Sequence, residues 1–176
     1  MAINKGTNIE TVKRISELKK ICKVVAFSED PDLVKSHSCD WRGRKNNIAM
    51  AVAFPESSTE ISTLIKYCNQ HNIIIIPQGG NTGLVYGTSP TLNNEELIIS
   101  TLKLNKVIKI DKINKYIEAQ SGSIIKNLSD LANAEGFLFP TDMSSSGSSR
   151  LGGIIATNAG GMNVIKYGST RENLLD

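Results

Sequence analysis

Residues 77–84 read Pro-Gln-Gly-Gly-Asn-Thr-Gly-Leu and follow four consecutive isoleucines at 73–76. A β-branched run that stops at proline is typical of a short buried strand. Glycine permits positive φ and removes the side chain that would hold a ligand away from the backbone. The spacing is not that of the common mononucleotide or dinucleotide loops. We therefore expect either a cradle of backbone N–H groups for a phosphate or pyrophosphate, or an ordinary glycine-rich turn.

A second segment rich in Gly, Ser, Thr and Asn runs from residue 140 to residue 168. It begins with Pro-Thr-Asp at 140–142, passes through a serine-rich run at 144–149, and reaches Gly-Gly-Ile-Ile-Ala-Thr-Asn-Ala-Gly-Gly at 152–161. The serine-rich run alone would suit a flexible linker, but motif-like sequence continues directly after it. Two segments of this kind suggest two halves of one large cofactor site.

In this order and spacing, the two segments resemble the flavin oxidoreductases related to p-cresol methylhydroxylase and vanillyl-alcohol oxidase. Ala-Thr-Asn-Ala-Gly-Gly at 156–161 and Tyr-Gly-Ser-Thr-Arg-Glu at 167–172 are most similar to the D-2-hydroxyacid branch, which includes D-lactate and D-2-hydroxyglutarate dehydrogenases. The resemblance runs from about Asp40 to the last residue. It implies an α+β FAD-binding fold, with a small parallel βαβ lobe, part of a second mixed or antiparallel lobe, and FAD between them.

The resemblance also implies the cofactor-binding residues. The first segment would bind the FAD pyrophosphate through Pro77, Gly79, Gly80, Asn81, Thr82, Gly83 and Leu84. The second would hold the isoalloxazine ring and ribityl chain through Gly122, Pro140, Thr141, Asp142, Gly147, Ser148, Gly152, Gly153, Thr157, Asn158, Gly160 and Gly161. A turn-capping role is the alternative for Asp142. Without the resemblance, the last two glycines would be interpreted as a turn.

Two positions depart from the family's pattern. The family commonly has glycine where this chain has Tyr86, and asparagine where it has Ile154. Some relatives attach the flavin covalently through histidine. His37 and His71 lie outside the motifs, so we expect non-covalent FAD. A lone histidine such as His37 is most often a surface residue.

The implied reaction oxidises a D-2-hydroxyacid to a 2-oxoacid, with hydride transfer to the flavin and electrons passing to an external acceptor. A base should take the hydroxyl proton, and arginine or a metal should hold the carboxylate. In the family these groups lie mostly in the second half of a much longer chain. We therefore name no catalytic residue, and we expect no metal ligand here and no turnover by these residues alone. The alternatives are an aldonolactone-type alcohol or sugar oxidase and a non-catalytic remnant domain.

Composition excludes other classes of protein. Hydrophobic residues make up 40% and charged residues 21%, which is typical of a globular protein. The net charge of +3 comes with scattered lysines and does not favour a nucleic-acid partner. Three cysteines without metal-type spacing indicate free thiols in a reducing compartment. With no apolar signal core and no apolar run of membrane-spanning length, we expect no integral membrane segment and a cytoplasmic location.

Hydrophobic periodicity predicts the order of elements. One helix is expected at 9–22, with a buried stripe of Ile9, Val12, Ile15, Leu18 and Ile21 or Cys22. A second should follow a Ser57–Glu60 capping box, with a buried stripe of Ile61, Leu64, Ile65 and Cys68. A third is expected at 124–135, with Ile125, Leu128, Leu131 and Ala132 buried and Gly136 as its stop. Strands are expected at 46–55, 73–76, 97–100 and 137–140, with a hairpin of 106–111 and 116–120. The predicted domains are a helical extension at 1–39, a first FAD-binding lobe at 40–104 with its pyrophosphate loop at 77–90, and a truncated second lobe at 105–176 without a substrate domain.

Overall fold

A computed structural model describes residues 9–21, 26–43 and 47–175. The fold class is α+β, and the chain divides into two compact units, residues 1–103 and 104–176. The assignment of an extension and two FAD-binding lobes stays a prediction. Ala26–Ser28, which falls within the predicted extension, forms a strand of the N-terminal unit.

The N-terminal unit is built on a mixed sheet. Its strands are β1 (Ala26–Ser28), β2 (Ala51–Phe54), β3 (Ile74–Gln78) and β4 (Glu96–Ser100). Its helices are α1 (Ile9–Ile21), α2 (Pro31–Ser38) and α3 (Ser58–Gln70). The strand order is β1-β2-β4-β3, in which β1 pairs antiparallel with β2 and the other pairs are parallel.

Strand β4 occupies the centre of the sheet's parallel part. The predicted strand-helix-strand unit has parallel strands, but β4 separates β2 from β3. Leu97 and Ile98 point to opposite faces of β4, and both have no exposed surface. Burying one such side chain stabilises the folded protein by about 2 kcal/mol. A strand that is apolar on both faces therefore gains the most stability when it lies between two other strands.

Helices cover both faces of this sheet. Side chains of α1 and α3 pack on the face that carries Leu97 and Ile99. Val34 of α2 packs on the opposite face with Ile76 and Ile98. The helix α3 begins at the predicted cap, where the Glu60 N–H donates to Ser57 Oγ at 3.2 Å.

The predicted buried stripes of α1 and α3 are partly wrong. On α1, Ile15 and Leu18 are buried, as predicted, but Ile9 and Val12 are exposed and Thr11 is buried. On α3, Ile65 is 48% exposed, whereas Tyr67 is buried and donates from its hydroxyl to Glu17 Oε2 at 2.9 Å. Leu64 and Cys68 of α3 are buried, as predicted, so each helix buries part of its predicted stripe together with one residue that hydrophobicity did not select, Thr11 or Tyr67. The predicted positions Ile21 (its side chain) and Cys22 lie outside the described residues.

The C-terminal unit begins with the predicted hairpin. Its strands are β5 (Val107–Asp111) and β6 (Tyr116–Ala119), which pair antiparallel with an irregularity between Val107 and Lys109. Asp111 organises the turn, because its Oδ1 accepts the N–H groups of Ile113 and Asn114 at 3.1 and 2.8 Å. The Asn114 N–H, and after it the Lys109 ammonium, hold the pKa of the Asp111 carboxyl below its usual range.

The predicted helix of this unit is α4 (Ile125–Ala134), and Gly136 ends it with a φ of 77°. Ile125, Leu128 and Ala132 are buried, as expected, but Leu131 is 37% exposed. At about 100° per residue, Leu131 lies about 90° from the centre of that buried stripe.

Residues 137–140 do not form the predicted strand and pair with no strand of the described chain. The Phe137 N–H instead donates to Ala132 O at 2.9 Å and extends the end of α4. The predictions missed the helices α5 (Leu151–Ala156) and α6 (Val164–Tyr167) and a 3-10 helix, Thr170–Asn173. Glycine within Leu151–Ala156 lowers its intrinsic helix propensity, so sequence alone favours a loop there.

Candidate functional site

The first glycine-rich segment leaves the carboxyl end of β3 as a loop. Pro77 still pairs with Ile99 of β4, and the loop begins after Gln78. Among the described residues, the glycines of this loop do not take positive φ. Asn81 and Tyr86 do, with φ of 53° and 60°. Glycine permits positive φ, but in this loop Asn81 and Tyr86 adopt it.

Two polar side chains of the loop turn inward to the protein. Asn81 Nδ2 donates to Cys39 O at 2.7 Å, and Asn81 Oδ1 accepts from Thr88 Oγ1 at 2.7 Å. The Gln78 side chain is buried, and its Nε2 donates to His37 O at 2.8 Å and to Thr88 O at 3.1 Å. These bonds join the start of the loop to the C-terminal end of α2 and to Cys39, and also to the far end of the loop at Thr88.

Several backbone N–H groups of the loop are available to bind a ligand. Within the described part of the chain, the N–H groups of Gly79, Gly80 and Gly83 donate to no protein acceptor. A β-carbon at Gly83 would have no heavy atom within 4 Å. The protein's own packing therefore does not require glycine at that position. Close approach of a ligand to the backbone would require it, and the free N–H groups suit an anion.

Arg42 contacts the second half of the loop, at Leu84 and Tyr86. Its Nη2 donates to Leu84 O at 2.7 Å, and its guanidinium carbon lies 5.7 Å from the centre of the Tyr86 ring. The buried Asp40 carboxylate accepts from Arg42 Nε at 3.1 Å and orients the guanidinium. Tyr86, at the position where the resembled family has glycine, thus takes up positive φ with its ring beside a cation.

In the C-terminal unit, Gly152 packs against the turn that precedes α4. Its N–H donates to Ser121 O at 2.7 Å, and a β-carbon on it would lie 2.8 Å from Ser121 Cβ. The neighbouring Gly122 is buried, and its carbonyl oxygen accepts from Arg150 Nη1 at 3.0 Å. Burial lowers the pKa of the Arg150 guanidinium. Gly122 and Gly152 therefore have roles in the packing of this unit.

Two other predicted segments meet at Asp142. The Met162 N–H donates to Asp142 O at 2.9 Å, and a β-carbon at Gly161 would overlap that carbonyl group. Pro140 O accepts from Asn163 Nδ2 at 3.4 Å. Thr141 is buried with its hydroxyl 3.5 Å from that of Thr170.

Further predicted cofactor-binding residues lie at the end of α5. Thr157 Oγ1 donates to Gly153 O at 2.9 Å. Asn158 takes a φ of 48°, and its Oδ1 accepts the Arg171 N–H at 3.0 Å. The Arg171 guanidinium donates to the carbonyl groups of Ile155 and Ala156 and so caps the helix. The side chain of Val164 limits the space beside Gly160.

Other predicted residues of the second segment remain open. Gly147 and Gly153 have no heavy atom within 4 Å of a built β-carbon, and neither has positive φ. Ser148 is exposed. The serine-rich run itself is fixed, because the Ser146 and Ser149 carbonyls accept the Lys126 and Ile125 N–H groups at 3.0 and 3.1 Å. An ordered loop with accessible backbone suits a flat ligand that must approach closely.

The C-terminal unit also contains a cavity of about 920 Å³. Its lining combines apolar and polar side chains of the hairpin, among them Ile117 and Glu118, with residues 137–139, apolar residues of α5 and the end of the described chain. Pro140 and Thr141 are the predicted site residues that reach it within that part of the chain. The cavity therefore does not coincide with the glycine-rich backbone.

Sequence reasoning missed several residues that shape the loop, among them His37, Arg42, Gln78 and Thr88. His37 is not a free surface residue, because its Nδ1 lies 2.5 Å from Gln78 Oε1. One signal was available in the sequence: a long polar side chain ends an isoleucine strand, and a buried amide must find partners.

The described residues supply no other obvious chemical centre. Within them, no three His, Cys, Asp or Glu side chains are grouped to hold a metal ion. Among the same residues, none of the helices combines the length and apolar character of a transmembrane span. Among the described residues, Cys39 and Cys68 form no disulfide bond.

Comparison with known proteins identifies a family. Residues 49–176 match the FAD binding domain family. The chain is 36% identical over 161 residues to a probable mitochondrial D-2-hydroxyglutarate dehydrogenase of Oryza sativa subsp. indica, which covers 92% of this chain and 28% of that protein. It is 38% identical over 146 residues to the mitochondrial D-2-hydroxyglutarate dehydrogenase of Danio rerio, covering 83% of this chain and 27% of that protein.

Among solved structures, alkyldihydroxyacetonephosphate synthase has the same fold, with a TM-score of 0.79, 23% identity, and coverage of 96% of this chain and 32% of that one. The chain thus spans less than a third of the length of each of these proteins. The predicted cytoplasmic location is contradicted, because the relatives from Oryza sativa and Danio rerio are mitochondrial.

Proposed function

Because this chain belongs to the FAD binding domain family, we propose that it is the N-terminal FAD-binding segment of a flavin-dependent oxidoreductase. The enzyme would oxidise a small D-2-hydroxyacid to the 2-oxoacid and pass the electrons to an external acceptor. Relatives that are D-2-hydroxyglutarate dehydrogenases support this substrate class.

One observation carries the assignment of the cofactor site. The loop after β3 directs Gln78 and Asn81 into the protein and leaves the N–H groups of Gly79, Gly80 and Gly83 without protein acceptors in the described chain. A pyrophosphate needs several converging donors and close backbone approach. We propose that these groups, with Pro77, Thr82 and Leu84, hold the pyrophosphate non-covalently.

The second segment fits the flat part of the cofactor in a different way. The close packing at Gly122, Gly152 and Gly161 shapes the backbone, and the open positions Gly147 and Gly153 leave room beside it. We propose that Pro140, Thr141, Asp142, Ser148, Thr157, Asn158 and Gly160 complete this surface. When bound, FAD supplies the hydride acceptor, and the residues named here bind and orient it.

The test is flavin retention by the purified chain. The one tryptophan, Trp41, is 71% exposed and adjoins Arg42, so its fluorescence should report FAD binding beside the loop. We expect a yellow protein after FAD is added and excess is removed. Gly80→Val and Gly83→Val should lose the flavin spectrum, and at Gly83 the added side chain has space in the folded protein. Val85→Ala, in the same loop with its side chain 86% exposed, is the control.

The outcomes separate the hypotheses. Loss of flavin in both valine variants with unchanged circular dichroism supports the proposed site. A wild-type chain that stays colourless, or valine variants that bind as well as wild type, would contradict it and favour a non-catalytic domain. We also expect no oxidation of D-2-hydroxyglutarate or D-lactate by these 176 residues with a dye as acceptor. Turnover would show that the catalytic base lies within them.

A further inference from the structure

Gln78 has one possible amide orientation. Its Nε2 faces the carbonyl oxygens of His37 and Thr88 at 2.8 and 3.1 Å, and carbonyl oxygens only accept hydrogen bonds. The nitrogen must therefore point to them, with both of its hydrogens used. The amide oxygen is left facing His37 Nδ1 at 2.5 Å, where it can only accept. The two carbonyl groups thus fix the orientation of the Gln78 amide.

This orientation fixes the proton on His37. Because Gln78 Oε1 has no proton to give, Nδ1 must be the donor, and the neutral imidazole carries its hydrogen on Nδ1 with a bare Nε2. The ring is half-buried and lies edge-on to Phe54, with 5.5 Å between ring centres. The position of the ring is thus set on one side by packing and on the other by the amide.

We infer that His37 is a positioning residue for the pyrophosphate loop. The Nδ1–H of His37 holds the Gln78 amide, and Gln78 directly precedes Gly79 and Gly80 and also holds Thr88 at the far end of the loop. The inference rests on the proposed function, since the loop's role in FAD binding is part of that proposal. No described contact places His37 itself at the ligand.

The hydrogen bond between His37 and Gln78 is buried, so its loss should have a measurable effect on the loop. Gln78 is 1% exposed, so removing the Nδ1–H leaves a buried amide oxygen without a donor. An unsatisfied buried acceptor is costly in the folded state, and rotation of the amide relieves it only by breaking its bonds to the His37 and Thr88 carbonyls. Either response loosens the loop, and we expect FAD affinity to fall by about tenfold.

Three substitutions separate the hydrogen bond from packing. In His37→Asn, the side-chain nitrogen can take the place of Nδ1 and donate, so this variant should bind FAD within about twofold of wild type. His37→Asp has nearly the same size but only accepts, and His37→Phe keeps a ring beside Phe54 without a donor. Both should bind about tenfold more weakly. His71→Asn is the control, since His71 stacks on Tyr67 away from the loop.

Two measurements on the 176-residue chain need no flavin. Nitrogen NMR should find the hydrogen of neutral wild-type His37 on Nδ1. Amide exchange at Thr101, whose N–H donates to Gln78 O at 2.9 Å, should be about tenfold faster in His37→Phe and His37→Asp than in wild type or His37→Asn. If the wild-type chain binds no FAD, the proposed function fails while these two measurements still decide the role of His37. An Nε2–H tautomer, or His37→Phe with wild-type exchange and FAD affinity, would overturn the inference.

Discussion

The backbone of Gly161 passes so close to the carbonyl group of Asp142 that a β-carbon at position 161 would overlap it. The adjacent Met162 N–H donates to the same carbonyl oxygen at 2.9 Å, which holds the two segments together. Glycine at 161 is therefore a condition of folding in the C-terminal unit, whatever the unit binds. The other glycines of the second segment can be sorted by the same criterion.

Gly161→Ala should destabilise the protein by about 1–3 kcal/mol, because the added methyl group forces the two backbones apart. The measurement is the midpoint of urea unfolding followed by circular dichroism. Gly147→Ala is the matched control, since nothing lies within 4 Å of its built β-carbon. Its stability should stay within about 0.5 kcal/mol of wild type. Equal stability of the two variants would show that the Asp142 contact is not formed.

The neighbouring glycines of α5 should respond with opposite sign. Gly152→Ala brings a methyl group 2.8 Å from Ser121 Cβ and should cost about 1–3 kcal/mol. Gly153→Ala has open space and should change stability by between zero and about 1 kcal/mol in the stabilising direction, because alanine is the better helix former. Urea unfolding measures both.

Flavin binding distinguishes a structural role of Gly153 from a ligand role. If the proposed site is correct, Gly153→Ala should keep its fold and yet bind FAD more weakly than wild type. A variant that is more stable and binds FAD equally well would remove Gly153 from the proposed site. It would leave the packing argument for Gly152 unchanged.

Features set by neighbouring residues could be predicted from the sequence. The Ser57 cap, the hairpin of β5 and β6, and the stop at Gly136 each depend on a few consecutive residues. The glycine-rich segments themselves, and with them the cofactor, were found because their motifs are contiguous.

Features set by distant residues could not be predicted. The central place of β4 depends on which strands compete for the same partner, and the turn of α3 toward Tyr67 depends on Glu17 in another helix. The bond between His37 and Gln78 joins residues 41 positions apart, and no local pattern indicates it. The need for glycine at 152 likewise arises from Ser121, which hydrophobic periodicity does not connect to it.

Tyr86 should be a strained position in the loop, because its φ is 60°. Tyr86→Ala keeps the strain and loses the contact with Arg42, whereas Tyr86→Gly loses both. We therefore expect the glycine variant to be about 1 kcal/mol more stable than the alanine variant in urea unfolding. At neighbouring Val85, which lacks positive φ, the alanine variant should be the more stable of the pair. The same order at both positions would mean that residue 86 carries no backbone strain.

Ionisation of Tyr67 should lower the stability of the protein at alkaline pH. Burial, and after it the hydrogen bond to Glu17, raise the pKa of Tyr67 from 10.0 to about 12. A raised pKa means that the native state favours the neutral phenol. This contribution to stability is complete below pH 10 and is lost as the pH rises through about 12. The absorbance of tyrosinate, taken as the difference between wild type and Tyr67→Phe, should therefore have its midpoint near 12.

Glu17→Gln tests the cause of that shift. It removes the negative charge and leaves the burial of the ring, which is the larger cause, so the midpoint should fall only part of the way toward 10. The free energy of unfolding of wild type should decline across the same interval, and Tyr67→Phe should lack that part of the decline. A wild-type midpoint at 10 would show that Tyr67 is solvated and that α3 does not turn this face toward α1.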